Sequence, residues 1–192
     1  MTTAIEPELV RLAADGDRAA MAALLSDVRP QLVRYCRARL GRVGGAYTTA
    51  DDVAQEVCLA VLKALPRYRD QGRPFSAFVF AVAANKVADA QRAAVRDGAV
   101  AVTDTPVEQP DAAPGPEQQA VATDLARRLA VLLHRLPGVQ REIVILRVAV
   151  GLPAEEVGTI LGMSAPAVRV AQSRALARLR TLAGNGLDEV AA

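Results

Sequence analysis

The sequence predicts an all-α chain of two small helical domains joined by a flexible acidic linker. Three observations predict it. Apolar positions recur at helical spacing in segment after segment on both sides of the middle. Residues 97–120 hold Pro106, Pro110, Pro114 and Pro116, five acidic residues, no Lys or Arg, and no helical period, so they read as extended or disordered tether. Near the end, Pro153, Gly162-Met163 and Ser164 punctuate a helix, a short turn and a longer helix, the helix-turn-helix plan. A length of 192 residues allows one domain or two small ones. The Pro/Ala-rich middle divides it at 1–96 and 121–192.

Taken in order, Glu8–Ala23 reads as a helix interrupted at Asp15-Gly16-Asp17, with Leu9, Val10, Leu12, Met21, Leu24 and Leu25 apolar. A second helix is expected from about Ala19 to Val28. Pro30 then opens a third that ends near Gly41, since proline suits a first turn and breaks an interior. There Leu32, Val33, Cys36 and Leu40 form the core stripe. Arg34, Arg37, Arg39 and Arg42 project elsewhere, a solvated face by pattern with phosphate contact as the other reading. Gly41–Tyr47 reads as a loop.

Thr48-Thr49-Ala50-Asp51-Asp52 sets hydroxyls three residues ahead of carboxylates, a capping-box start. The helix runs on through Leu65 and stops at Pro66. Val53, Ala54, Val57, Ala60, Val61 and Ala64 share one face. The other carries Asp51, Asp52, Gln55, Glu56 and Lys63, with Leu59 and Leu62 among the charges. That face suits either an ordinary surface helix or a docked partner, and pattern alone favours the first. A basic hinge with one aromatic follows, Arg67-Tyr68-Arg69-Asp70-Gln71-Gly72-Arg73-Pro74, and a helix from Phe75 to Arg96. Asn85, Asp89, Arg92 and Arg96 line up on its wheel, with Lys86 at the margin. Aromatics beside cations suit single-stranded nucleic acid. Phe75 and Phe80 read as core, and Phe78 fits core or stacking platform.

The second domain reads as three helical segments and a recognition helix: Val121–Leu136, Val139–Val150, Ala154–Leu161 and Ala165–Leu182. Ile143, Leu146 and Val150 form an apolar face. Ser164 caps the last helix. On it Val168, Ala175, Leu179 and Leu182 face inward, while Arg169, Ser173 and Arg174 face out beside Arg178 and Arg180. An arginine face there fits the major groove and its phosphates.

Composition narrows the function. Residues 1–96 carry 14 basic against 10 acidic residues, 97–120 none against 5, and 121–192 nine against 6. Two basic modules joined by an acidic tether describe the chain better than its net charge of +2. All six aromatics lie between Tyr35 and Phe80, so the second domain builds a limited core from aliphatics alone. Cys36 and Cys58 lack metal-ligand spacing and read as buried, reduced thiols. His134 is the single histidine, which excludes Ser–His and multi-His sites and leaves it a capping or solvated role. No phosphate-cradling glycine loop is present, so no enzyme and no cofactor are expected. No apolar run of about 18 residues and no signal peptide occur, so a cytoplasmic protein without direct membrane insertion is expected.

Asp51-Asp52-Val53-Ala54-Gln55-Glu56-Val57, Arg69-Asp70-Gln71-Gly72-Arg73-Pro74-Phe75 and Ala83-Ala84-Asn85-Lys86 resemble region 2 of a bacterial sigma factor. Leu136-Pro137, Gln140-Arg141-Glu142, Leu161-Gly162-Met163-Ser164, Val168-Arg169 and Arg174-Ala175 are similar to region 4 of the sigma-70 family. The short chain resembles the extracytoplasmic-function (ECF, group 4) class. Val53-Ala54-Gln55-Glu56-Val57-Cys58 and Pro66-Arg67-Tyr68-Arg69-Asp70 are similar to the actinobacterial D-type members. Pro166-Ala167 and Val170-Ala171 depart from the pattern, where the family often has Gly-Thr and polar residues.

The resemblance implies a region 2-like bundle and a region 4-like helix-turn-helix. It also implies binding to core RNA polymerase and promoter-specific initiation at −10 and −35 elements. Asp51, Asp52, Gln55, Glu56 and Leu59 would then dock on the polymerase β′ coiled coil, and the second domain on the β flap. Arg67, Tyr68, Arg69, Arg73, Asn85, Lys86, Asp89 and Arg92 would take the melted −10 strand. Ser164, Val168, Arg169, Ser173, Arg174 and Arg178 would serve the −35 duplex. Asp104, Glu108, Asp111 and Glu117 of the linker would thread basic polymerase channels. An anti-sigma factor is a further expected partner. The rival readings are a stand-alone helix-turn-helix regulator and a protein-binding helical adaptor. The acidic helix argues against the first, and the arginine-rich last helix against the second.

Overall fold

The computed structural model describes residues 5–40, 49–96, 125 and 128–188, and among these there are helices and turns and no strand. The expected Gly41–Tyr47 loop, Arg42, the acidic linker and the Val121 helix start lie outside the described residues.

In the first domain, α1 (Pro7–Ala14) has its proline in the first turn, where the missing N–H costs nothing. The chain turns at Gly16, whose φ of +94° favours glycine. Asp17 Oδ1 then accepts from the Ala20 amide at 2.8 Å and starts the next helix. That helix, α2, runs unbroken from Arg18 to Leu40 with Pro30 inside it. The expected break at Pro30 is therefore corrected. An interior proline costs about 3 kcal/mol, but Leu24, Val28, Leu32, Tyr35 and Cys36 on both sides of it are buried in one apolar cluster. Packing of one continuous stripe outweighs the local penalty, and the Gln31 side chain donates to the Asp27 carbonyl at 3.2 Å.

Thr49 and Asp52 close the expected capping box at the start of α3 (Ala50–Ala64). Val53, Ala54, Val57, Cys58 and Val61 are its buried face. A 3₁₀ turn, Leu65–Arg67, carries Pro66, and α4 spans Phe75–Arg96 as expected. Phe75 and Phe80 are buried, and the Phe80 ring meets Tyr35 edge-on at 5.3 Å. Both cysteines are buried and free. Burial pushes the Cys36 thiol up to about 12, so it stays protonated.

The second domain comprises helical residues 128–134 (α5), α6 (Gly138–Val144), a π-helical continuation (Ile145–Val150), α7 (Ala154–Leu161) and α8 (Ala165–Asp188). Gly151 and Gly162 end their helices in the left-handed conformation, φ +91° and +66°. Ile143, Leu146 and Val150 are buried. A small cluster of Leu133, Leu136, Val144 and Ala175 belongs to this domain alone. The larger cluster does not stop at the domain boundary. It runs from Val10 to Val168 because the π segment packs on α2 and α7 packs on α4.

Candidate polymerase and nucleic-acid interfaces

On α3 the expected docking residues are all exposed, but they are not equivalent. Asp51 grips Arg37 from the neighbouring helix through two bonds of 2.8 and 2.6 Å. Asp52 accepts from the Thr49 amide and hydroxyl, both at 2.8 Å. These bonds hold its carboxyl below the usual aspartate range. Asp52 is thus first a helix cap, and reversing its charge would cost helix stability as well as any contact. Glu56 lies 3.4 Å from Lys86 of α4, and Gln55 is exposed beside it. Leu59 leaves 49% of its surface open among these polar groups, the one large apolar side chain on the face with that exposure.

The residues expected to take the −10 strand fall into two groups. In the hinge, Asp70 Oδ1 accepts from the Gly72 amide at 2.8 Å, and Gly72 takes a φ of +70°. This tight turn presents Arg73 to solvent. Arg69 donates to the carbonyls of Tyr68 and Pro66 at 3.1 and 3.5 Å, bracing the loop, while Arg67 is exposed. Tyr68 packs against Phe75 and Phe78, ring centroids 5.2 and 5.1 Å apart. Phe78 accordingly belongs to an aromatic cluster rather than standing as an open stacking platform. Between α1 and this hinge lies a groove of about 410 Å³, walled by Ile5, Arg11, Tyr68, Arg69, Arg73 and Phe75. One wall is aromatic, and the rim mixes Arg11, Arg69 and Arg73 with Glu8, Asp15 and Asp70, Arg11 being paired with both Glu8 and Asp15.

The second group sits further along α4. Asn85 and Asp89 are exposed, and Arg92 pairs with Asp89 one turn away. Through Lys86 and Glu56 this group adjoins the acidic face of α3. Sequence reading did not show that adjacency, because 30 residues separate the partners.

In the helix-turn-helix, Ser164 Oγ accepts from the Ala167 amide at 3.3 Å and caps α8. Arg169, Ser173, Arg174 and Arg178 are exposed on one side of that helix. Val168 is fully buried against the core, so its place in the −35 group is corrected to one of support. Its neighbour Arg169 is held by Glu155 at the start of α7. A bond from Glu155's own backbone and then the Arg169 charge lower that carboxyl. Arg147 Nε donates to Gln172 Oε1 at 3.0 Å and fixes α8 to the π segment. His134 is exposed, with Nδ1 3.0 Å from Arg141. Partial burial, then Arg141 and Arg39, lower its pKa and favour the neutral ring.

The comparisons with known proteins match this layout. The sigma-70 region 2 family matches residues 24–97, and sigma-70 region 4 matches residues 126–179. The ECF RNA polymerase sigma factor ShbA of Streptomyces griseus is 55% identical across 94% of this chain and 96% of its own. This chain belongs to the ECF sigma factors of the sigma-70 family. The ECF sigma factor SigD of Mycobacterium tuberculosis is also 55% identical, across 90% of this chain and 81% of its own. The solved structure of CnrH in complex with the cytosolic domain of CnrY superposes with a TM-score of 0.67 at 26% identity. It covers 93% of this chain and 96% of that one. As a sigma factor the chain directs promoter-specific initiation of transcription by RNA polymerase. Among the described residues no helix is long and apolar enough to cross a membrane.

Proposed function

We propose that this sigma factor docks on the β′ coiled coil of core polymerase through Asp51, Gln55, Glu56 and Leu59. The observation that carries this reading is Leu59, half-exposed on an acidic face that a capping box holds rigid. An apolar side chain inside a charged rim is the arrangement that interface cores take. The second domain meets the β flap. The hinge and α4 take the melted −10 strand, and the exposed side of α8 takes the −35 duplex. The relative CnrH was solved with the cytosolic domain of CnrY; by analogy an anti-sigma protein clasps this chain, and both work in the cytoplasm.

Strand capture is tested by opening. Alanine at Arg67, Arg73 and Lys86 should impair promoter opening more than initial binding, because each removes a cation that follows the phosphates of the displaced strand. A pre-melted template should restore activity. Equal defects on duplex and pre-melted templates would remove the assignment.

The −35 contact is tested by salt. Arg174→Ala should weaken binding to all −35 duplexes alike and lower the slope of log affinity against log salt by about 1. Arg169, already bound to Glu155, should contribute less to the slope. If it instead grips a guanine edge, its loss relaxes preference at one base pair. Binding of the full chain in holoenzyme to −35 variants across a salt series separates these outcomes. An unchanged slope and unchanged −35 dependence in both variants would show that α8 is not the reader.

A further inference from the structure

We propose, on the reading that the exposed side of α8 takes the −35 duplex, that Val170 reads the 5-methyl group of a thymine there. The chain would then select an A·T pair at that position by apolar contact rather than by a hydrogen bond.

α8 carries an uncharged stripe between its cations. At about 100° per residue, Pro166, Val170, Ser173 and Ala177 fall within roughly 60° of one another. All four are exposed, and Val170 leaves 50% of its surface open. On the same wheel Arg169 lies about 70° to one side of the stripe's centre and Arg174 about 70° to the other, with Arg178 beyond it. These three arginines are exposed, and α8 has no acidic residue before Asp188. Val168 and Ala175, almost opposite the stripe on the wheel, are fully buried. The stripe therefore points straight away from the core. A lone exposed valine carries no message. One centred between arginines on both flanks does, because those charges decide that a polyanion comes to it.

A helix with its side chains is about 10–12 Å across, and the major groove is about 12 Å wide. Seated there, the helix turns its outward midline to the base edges and its flanks to the two phosphate walls. Arg169 and Arg174 then face phosphate. Pro166 and Val170, on the midline of the first two turns, face bases, as the N-terminal residues of a recognition helix do. Neither side chain can donate or accept a hydrogen bond, and Ser173 is the one member of the stripe that can. The thymine methyl is the apolar group that base pairs show in this groove. Against guanine, Val170 would strip water from O6 and N7 and return no bond. Its branched side chain also keeps one strongly preferred rotamer in a helix, so little freedom is lost on contact.

The test removes a methyl from each side of the contact. Holoenzyme assembled from the full chain and core polymerase first selects its preferred sequences from promoters randomised across the −35 element. The selected set should hold a thymine, on either strand, at a fixed position. Deoxyuridine at that position deletes the methyl and leaves the base pair intact. It should weaken holoenzyme binding about fourfold, as expected for one buried CH₂-sized group (~0.8 kcal/mol). Val170→Ala should bind the thymine promoter at least as weakly and should no longer distinguish thymine from deoxyuridine. Alanine favours a helix and Val170 is exposed, so the variant keeps its fold. A purely structural role for Val170 would leave the methyl effect intact, since only a direct contact couples the two deletions.

A methyl effect that persists in Val170→Ala would overturn the assignment. So would selected sequences without thymine, or deoxyuridine without effect at every position. Loss of core binding in Val170→Ala with no methyl effect would give the stripe to a protein surface and overturn it as well. Failure of the −35 reading itself shows differently, as an unchanged salt slope in Arg174→Ala. A lowered slope without any methyl effect would leave α8 on the duplex and Val170 reading nothing in it.

Discussion

Replacing Glu56 with Lys and Leu59 with Asp together should lower affinity for core polymerase by at least about 30-fold, or ~2 kcal/mol, the threshold for an interface hot spot. Leu59 is 49% exposed and Glu56 points to solvent beside Lys86, so the folded chain loses little by the change. The capping box at Thr49 and Asp52 is untouched. Asp52→Ala is the informative contrast: it should reduce helix stability by about 0.5–2 kcal/mol through the missing cap. Its docking defect should scale with that loss rather than with charge. Titration of fluorescent sigma factor with core at moderate salt, with circular dichroism on each variant, separates the two effects. Wild-type affinity in the double variant would sink the docking assignment.

Gly158→Ala should be the most damaging single methyl in the second domain. Glycine inside a helix normally costs up to about 1 kcal/mol relative to alanine, so the substitution would ordinarily stabilise. Here a Cβ on Gly158 would lie 2.5 Å from the Met163 carbonyl oxygen, a backbone atom in the tight turn between α7 and α8. The turn must shift, and with it the angle at which α8 is presented. Overpacking of this kind costs about 1–3 kcal/mol, which for a chain of this size lowers the melting temperature by roughly 2–4 °C per kcal/mol. Gly138→Ala, with nothing within 4 Å of the new methyl, should be neutral or slightly stabilising. Calorimetry of both variants checks the sign. A −35-dependent promoter should lose activity in Gly158→Ala while core docking persists. Equal melting temperatures for the two variants would refute the close-approach argument.

Elements with local signals were legible in the order of the residues. Thr49 and Asp52 lie three residues apart, and their capping box forms. Pro74-Phe75 opens α4, Gly151 and Gly162 end their helices, and Ser164 starts the recognition helix. The helical period also placed Arg169, Ser173 and Arg174 on the outside of α8 and Ile143, Leu146 and Val150 on the inside. Caps, glycine turns and periodicity act within one or two turns of chain, so they are written in neighbouring letters.

Packing between distant helices settled the rest. Pro30 reads as a helix start, yet α2 continues through it because buried residues on both sides share one core. Arg37 and Arg39 look alike as members of a solvated cationic face. One holds Asp51 of α3, and the other holds Glu142, 103 residues away. Val168 and Arg169 arrive together in one motif, but one is core and the other is exposed. Serine and glutamate give no sign in sequence that Ser76 and Glu156 will meet. Such pairings depend on where whole helices come to rest, a balance of burial and desolvation across the fold that no local pattern encodes.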